Sequence, residues 1–172
     1  MLKLLGSFLT MGSMTGIGIW KAGEMNRSYQ ALEKIHHLIG MMKNELSYAG
    51  SEFGEMFECL SKKVDAPYRN WMLGMKIQME RRNGKIFSEI WEENANGFLK
   101  ESGLSVEALG HLKMLGRNLG GADRQMQIWS MERYLKQTEL QMEEMRKDIK
   151  TRMKVQICLG AGVGILITIF LI

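Results

Sequence analysis

The side chains most often found in catalytic and metal sites are sparse in this chain. Its three histidines are the adjacent pair His36 and His37 and the isolated His111. Neighbouring residues on a helix point about 100° apart, so His36 and His37 cannot aim at one ion. A helical metal site needs ligands four residues apart with an acid beside them, and no two histidines stand at that spacing. The two cysteines, Cys59 and Cys158, lie in different kinds of segment and neither has a second Cys or His at ligand spacing. They read as packed thiols with no disulfide framework.

Nucleophile and acid–base patterns fare no better. There is no Gly-x-Ser-x-Gly elbow and no strand to carry one. The adjacent acids Glu92-Glu93 and Glu143-Glu144 fall on a solvated helix face, without the pocket that would split their pKa values for acid–base work. Gly160-Ala161-Gly162-Val163-Gly164 lacks the Lys-Ser or Lys-Thr that a phosphate loop requires. The residues therefore point to no catalytic, cofactor-binding or metal-ligating site, and the chain is expected not to be an enzyme and to need no cofactor.

The elements that carry these side chains are helices. Tyr29, Leu32, Ile35, Ile39, Met42 and Leu46 recur at three and four residues, and Gly50 offers a stop. Ser51 suits an N-cap for a second stripe of Phe53, Met56, Phe57, Leu60 and Val64, which ends at Asp65-Ala66-Pro67. Pro67 at a first helical position opens a third stripe of Tyr68, Trp71, Met72, Met75 and Met79, closed by Arg81-Arg82-Asn83-Gly84. Phe87, Ile90, Trp91, Phe98 and Leu99 make a fourth, ending at Gly103. In the fifth, Leu104 before a capping Ser105 staples onto Leu109, and Leu112, Leu115 and Leu119 lead to Gly120 and Gly121. Asp123 caps the sixth, in which Ile128, Met131, Leu135, Thr138, Met142, Met145 and Ile149 keep heptad spacing. Gly116 permits close helix packing, and Gly120 is expected at positive φ as a C-terminal cap. The sixteen methionines sit at core spacings.

Charge divides the chain into three. Mean hydropathy is −0.16, a blend of two apolar ends with a charged middle. All of the 23 Lys and Arg but Lys3 lie between Lys21 and Lys154, leaving 22 bases against 19 acids there. Such interleaving, almost throughout, speaks against a nucleic-acid binder, the one local excess of bases being that at 146–154. Val155 to Ile172 is an uncharged run of 18 residues, about 27 Å of helix against about 30 Å of hydrocarbon, and is expected to be a tail anchor. Leu4 to Trp20, glycine-rich and uncharged, is a weaker span. A cleaved signal peptide is the rival reading, opposed by Trp20, Lys21 and Glu24 where the cleavage site would fall. Lys21, Arg27 and Lys34 follow the first run, and Arg146, Lys147, Lys150, Arg152 and Lys154 precede the second at the level of lipid head groups. By the positive-inside tendency the middle is cytoplasmic. The expected architecture is all-α: an N-terminal transmembrane helix over 1–21, a six-helix cytoplasmic bundle over 22–154 whose first and last helices continue into the spans, and a C-terminal anchor over 155–172.

The run Leu112-Lys113-Met114-Leu115-Gly116-Arg117-Asn118-Leu119-Gly120, then Asp123, Gln127 and a long helix into an apolar end, looks like the stage III sporulation protein AB family. So do Met1-Leu2-Lys3-Leu4 opening a span and Glu45-Leu46-Ser47-Tyr48 before a turn. Ser51-Glu52-Phe53 departs from the Thr-Pro-Leu often found after that tyrosine. The resemblance implies a membrane component, on the mother-cell side in the outer forespore membrane, of the channel complex that endospore formers build between mother cell and forespore. It is similar in its helical domain to the F platform proteins of type II secretion, which bind a secretion ATPase. By that resemblance the partners would be the stage III sporulation protein AA ATPase and other stage III channel proteins, with self-association as a further option. Glu45 and Tyr48, near a turn, are the contact candidates. Leu112, Leu115, Gly116, Leu119, Gly120, Asp123 and Gln127 form a corner whose first role is architectural. The rival reading is a passive helical tether or regulator of membrane proteins.

Overall fold

Each apolar stripe forms a helix in the computed structural model. The backbone is described for residues 2–49, 52–81, 84–121 and 123–171. The side chains are described for 23–48, 52–81, 84–121, 123–151 and 154–155. The order is α1 (Leu2–Asn44), a π-helical turn (Glu45–Ala49), α2 (Phe53–Ser61), α3 (Tyr68–Glu80), α4 (Phe87–Leu99), α5 (Val106–Leu119) and α6 (Arg124–Leu171). Among the described residues there are six α-helices and no strand. The chain forms two units, Met1–Arg27 with Glu143–Ile172, and Ser28–Met142. Among the described residues no helix is long and apolar enough to cross a membrane. The runs 4–20 and 155–172, with Cys158, lie outside the residues whose side chains are described, save Val155.

In the Ser28–Met142 unit, α2 packs on α3, α3 on α4 and α4 on α5. Ile35, Ile39 and Met42 of α1 and Leu46 of the π turn share one buried core with Met56, Phe57 and Leu60 of α2 and Met131 of α6, and Leu32 is buried on the same face of α1. Burying each such side chain favours the fold by roughly 1.5–3 kcal/mol. Trp71 and Trp91 meet edge to face with centroids 4.9 Å apart. Phe87 lies between Phe53 and Trp91, tilted by 34° to each, with centroids 4.8 Å and 5.8 Å away. The Trp91 indole donates to the Leu112 carbonyl at 2.8 Å, which satisfies its buried N–H and fastens α4 to α5. Gly74 lets α3 approach α4, since a Cβ there would fall 2.8 Å from Phe98 Cε2 and on the Asn94 side-chain oxygen.

Several boundaries differ from those read off the sequence. Gly50 and Ser51 lie outside the described residues, and Glu52 occupies the N-cap of α2 in extended backbone, without a side-chain cap bond. Pro67 is the N-cap of α3, one position before the first helical residue. Helix α4 stops at Leu99, and Gly103 takes φ 95° in the turn beyond. Phe98, counted in the stripe of α4, is 38% exposed because the core side is filled by Ile90, Trp91, Ala95 and Leu99. Gly120 is not left-handed: its φ is −79°, and Gly121, at φ 113°, makes the reversal. Space at Gly120 is tight, since a Cβ there would lie 3.2 Å from Phe87 Cβ.

Candidate functional site

The end of α1 is where the candidate contact residues lie. The helix widens into the π turn Glu45–Ala49, in which Leu46 is buried and Tyr48 is 88% exposed. Carbonyls at a helix end lack partners within the helix. Here Arg124, the first residue of α6, donates its guanidinium to the Leu46 carbonyl oxygen and, at 3.3 Å, to that of Ser47. A cation at this end also opposes the negative pole of the helix dipole. Glu45 turns to α2: its carboxylate accepts from Lys63 Nζ at 2.9 Å and from Cys59 Sγ at 3.6 Å. The Lys63 ammonium holds the Glu45 carboxyl below its ordinary range, and Glu45 raises Lys63 in return. Glu45 is thus ion-paired and half-buried, while Tyr48 is exposed.

Arg124 also joins this turn to the α5–α6 corner. Leu112, Leu115 and Leu119 are buried, and Gly116 lies so close under Trp91 that a Cβ would sit 2.6 Å from Nε1 and closer still to two ring carbons. Asp123 accepts the Met126 N–H at 2.8 Å, capping α6, and the Gln127 amide donates to the Leu119 carbonyl at 3.1 Å, closing α5. Arg124 and Gln127 line one open hollow of about 360 Å³ with Leu46, Phe53, Gly54 and Met79. Through Arg124 and Gln127 the start of α6 therefore joins the Leu46–Ser47 turn to the end of α5, whereas Leu112 and Gly116 pack farther along α5 on Trp91. Arg124 and Lys63, which make the junction, carry no signal in the sequence, since ties between distant helices leave no periodicity.

The residues weighed for chemistry are placed apart. Among the described residues no three His, Cys, Asp or Glu side chains gather as a metal site would require. His36 Nδ1 lies 2.8 Å from Thr138 Oγ1, and burial lowers its pKa, with Glu139 opposing the shift and His37 adding to it. The His111 ring lies 3.3 Å from the Gln137 amide nitrogen. Glu92 pairs with Arg117 at 3.1 Å and Lys113 at 3.7 Å, and Glu93 pairs with Lys85 at 2.6 Å. These acids are ion-pair partners of α5 and of the turn before α4. A second exposed surface, which the core stripe of α6 did not reveal, carries Met126, Trp129 and Leu140, with Arg133 over the Trp129 ring at 5.7 Å.

Among the described residues the arrangement is one of exposed surfaces and open hollows. No curated protein matches the chain. A solved structure of Stage III sporulation protein AB superposes with a TM-score of 0.65 at 14% identity, over 72% of this chain and 97% of that one, a likeness of fold. The family model described as Stage III sporulation protein AB matches residues 3–172. With a match over nearly its whole length, the chain belongs to the stage III sporulation protein AB family, and its role is one in sporulation.

Proposed function

We propose that this chain is a non-enzymatic membrane platform of the mother cell–forespore channel complex, docking a cytoplasmic secretion-type ATPase at the end of α1. Residues 1–21 and 155–172 are its spans, residues 22–154 its cytoplasmic domain, and the outer forespore membrane, on the mother-cell side, its place. The observation that carries the docking site is Tyr48: an aromatic 88% exposed on a turn whose carbonyls Arg124 clamps. An exposed tyrosine is the type of side chain that anchors protein interfaces, because it covers much area with few rotamers to freeze. Glu45, paired with Lys63, holds the turn against α2 and supplies the rim.

The alternative, a passive tether or regulator, draws on the heptad spacing of α6, which would suffice to space membrane partners. Full-length chain co-purified with the stage III sporulation protein AA ATPase separates the two. Tyr48→Ala is expected to weaken capture about tenfold or more, as loss of an interface anchor does, with the melting temperature unchanged. Glu45→Ala is expected to weaken it less. Equal capture by wild type and Tyr48→Ala, or none by either, would remove the docking site and leave the tether.

A further inference from the structure

The basic residues that close the described part of α6 are one-sided. Arg146, Lys147, Lys150 and Lys154 are all exposed, and among the described residues none is in an ion pair. At 3.6 residues per turn they fall within an arc of about 100°, and they climb about 12 Å along the helix. Asp148, the one acid between 145 and 155, lies on another side, and Met142, Met145 and Ile149 form a separate half-buried arc. Glu143 stands one turn earlier on the basic arc, and Glu144 lies off it. The uncharged run begins at Val155, immediately after the last lysine. A topological flank requires only a number of positive charges near the span. Their gathering on one side is a further feature, and Arg152 is the cluster member whose side chain lies outside those described.

We infer that this face of α6 is a binding site for anionic phospholipid in the bilayer, whose phosphates lie against Arg146, Lys147, Lys150 and Lys154. The inference rests on the membrane reading above. Four unpaired cations on one arc attract phosphate oxygens without first breaking an ion pair, and lysine and arginine near a membrane surface each strengthen binding to acidic lipid. Because the site has a side, lipid held there fixes the rotation of α6 about its axis.

The test uses full-length chain extracted from an equimolar mixture of phosphatidylcholine and phosphatidylglycerol, with the lipids that stay with the protein through purification measured. Phosphatidylglycerol is expected to be enriched by about fivefold or more, the ratio that one residue's worth of surface attraction supplies, and the enrichment should fall as salt rises. Changing Arg146, Lys147, Lys150 and Lys154 to Gln should return the ratio to that of the mixture without altering helicity. A control that changes Arg69, Lys85, Lys100 and Lys136 to Gln removes the same charge elsewhere and should keep the enrichment. Equal loss in the control would assign the effect to net charge and overturn the site. A wild-type ratio equal to the mixture would overturn this inference alone. A chain soluble without detergent and free of lipid would overturn it together with the membrane reading.

Discussion

Gly116 has no room for even a methyl group, because Trp91 lies across its Cα and is itself fixed by its bond to the Leu112 carbonyl. An alanine there must displace a ring packed against Trp71 and Phe87. Gly116→Ala is expected to cost about 1–3 kcal/mol, read as a lower melting temperature of the full-length protein in detergent. Gly121→Ala should cost about 1–2 kcal/mol for a different reason, the positive φ that a Cβ disfavours. Gly120→Ala should cost less than either, since its contact with Phe87 Cβ is 3.2 Å and its φ is ordinary. Normal melting of Gly116→Ala would refute the close approach. Two adjacent glycines announced a reversal, but which one makes it was not legible. That depends on where Phe87 of α4 leaves space, which is a tertiary fact.

At the scale of elements, what periodicity and local chemistry determine could be read and what distant elements determine could not. The stripe of α1 emerged buried from Leu32 to Leu46, and Ser105 accepts the Ala108 N–H at 3.1 Å, because stripes and caps are written within a few residues. Tyr134, buried on α6 between the positions of the expected stripe, and the outward Trp129 were not legible. The heptad that places Met131 and Leu135 says nothing of how wide the buried face becomes once α1 covers it. Similarly, Glu45 reads as an exposed acid until the turn after α2 brings Lys63 to it. The corner offers a direct check of the local kind. Asp123→Ala removes the oxygen that receives the Met126 N–H and should cost about 1 kcal/mol, whereas Asp123→Asn should keep most of the stability. Melting of Asp123→Ala equal to that of the wild type would mean that the cap contributes nothing to the corner.

Across the Ser28–Met142 unit, first and last helices are tied along their length: Arg124 to the carbonyls of Leu46 and Ser47, Glu132 to Lys43 at 3.5 Å, and Thr138 to His36 at 2.8 Å. Together these close the helical unit, and the last of them is sensitive to pH. The Thr138 hydroxyl lies within 3.1 Å of the Tyr134 carbonyl and 3.0 Å of that of Leu135, to either of which it can give its single proton. It then accepts from His36 Nδ1–H, so the neutral imidazole already makes the tie. A second proton would charge a ring that burial deprives of water, which is why the folded pKa lies below 6.5 despite Glu139 nearby. The folded unit therefore takes up this proton less readily than the unfolded chain. The stability that His36 contributes is complete above 6.5 and declines as pH falls from there to the lower folded value, with a slope of at most about 1.4 kcal/mol per pH unit. Glu45 and Glu58, held below their ordinary range by Lys63 and Lys76, lose their contribution only in a more acid window. Between about pH 7.5 and about pH 5.5 the melting temperature of the full-length protein should fall, and His36→Asn should flatten that fall, because an amide can donate to Thr138 without titrating. An unchanged pH profile in His36→Asn would show that the closure of α1 on α6 does not depend on the charge of His36.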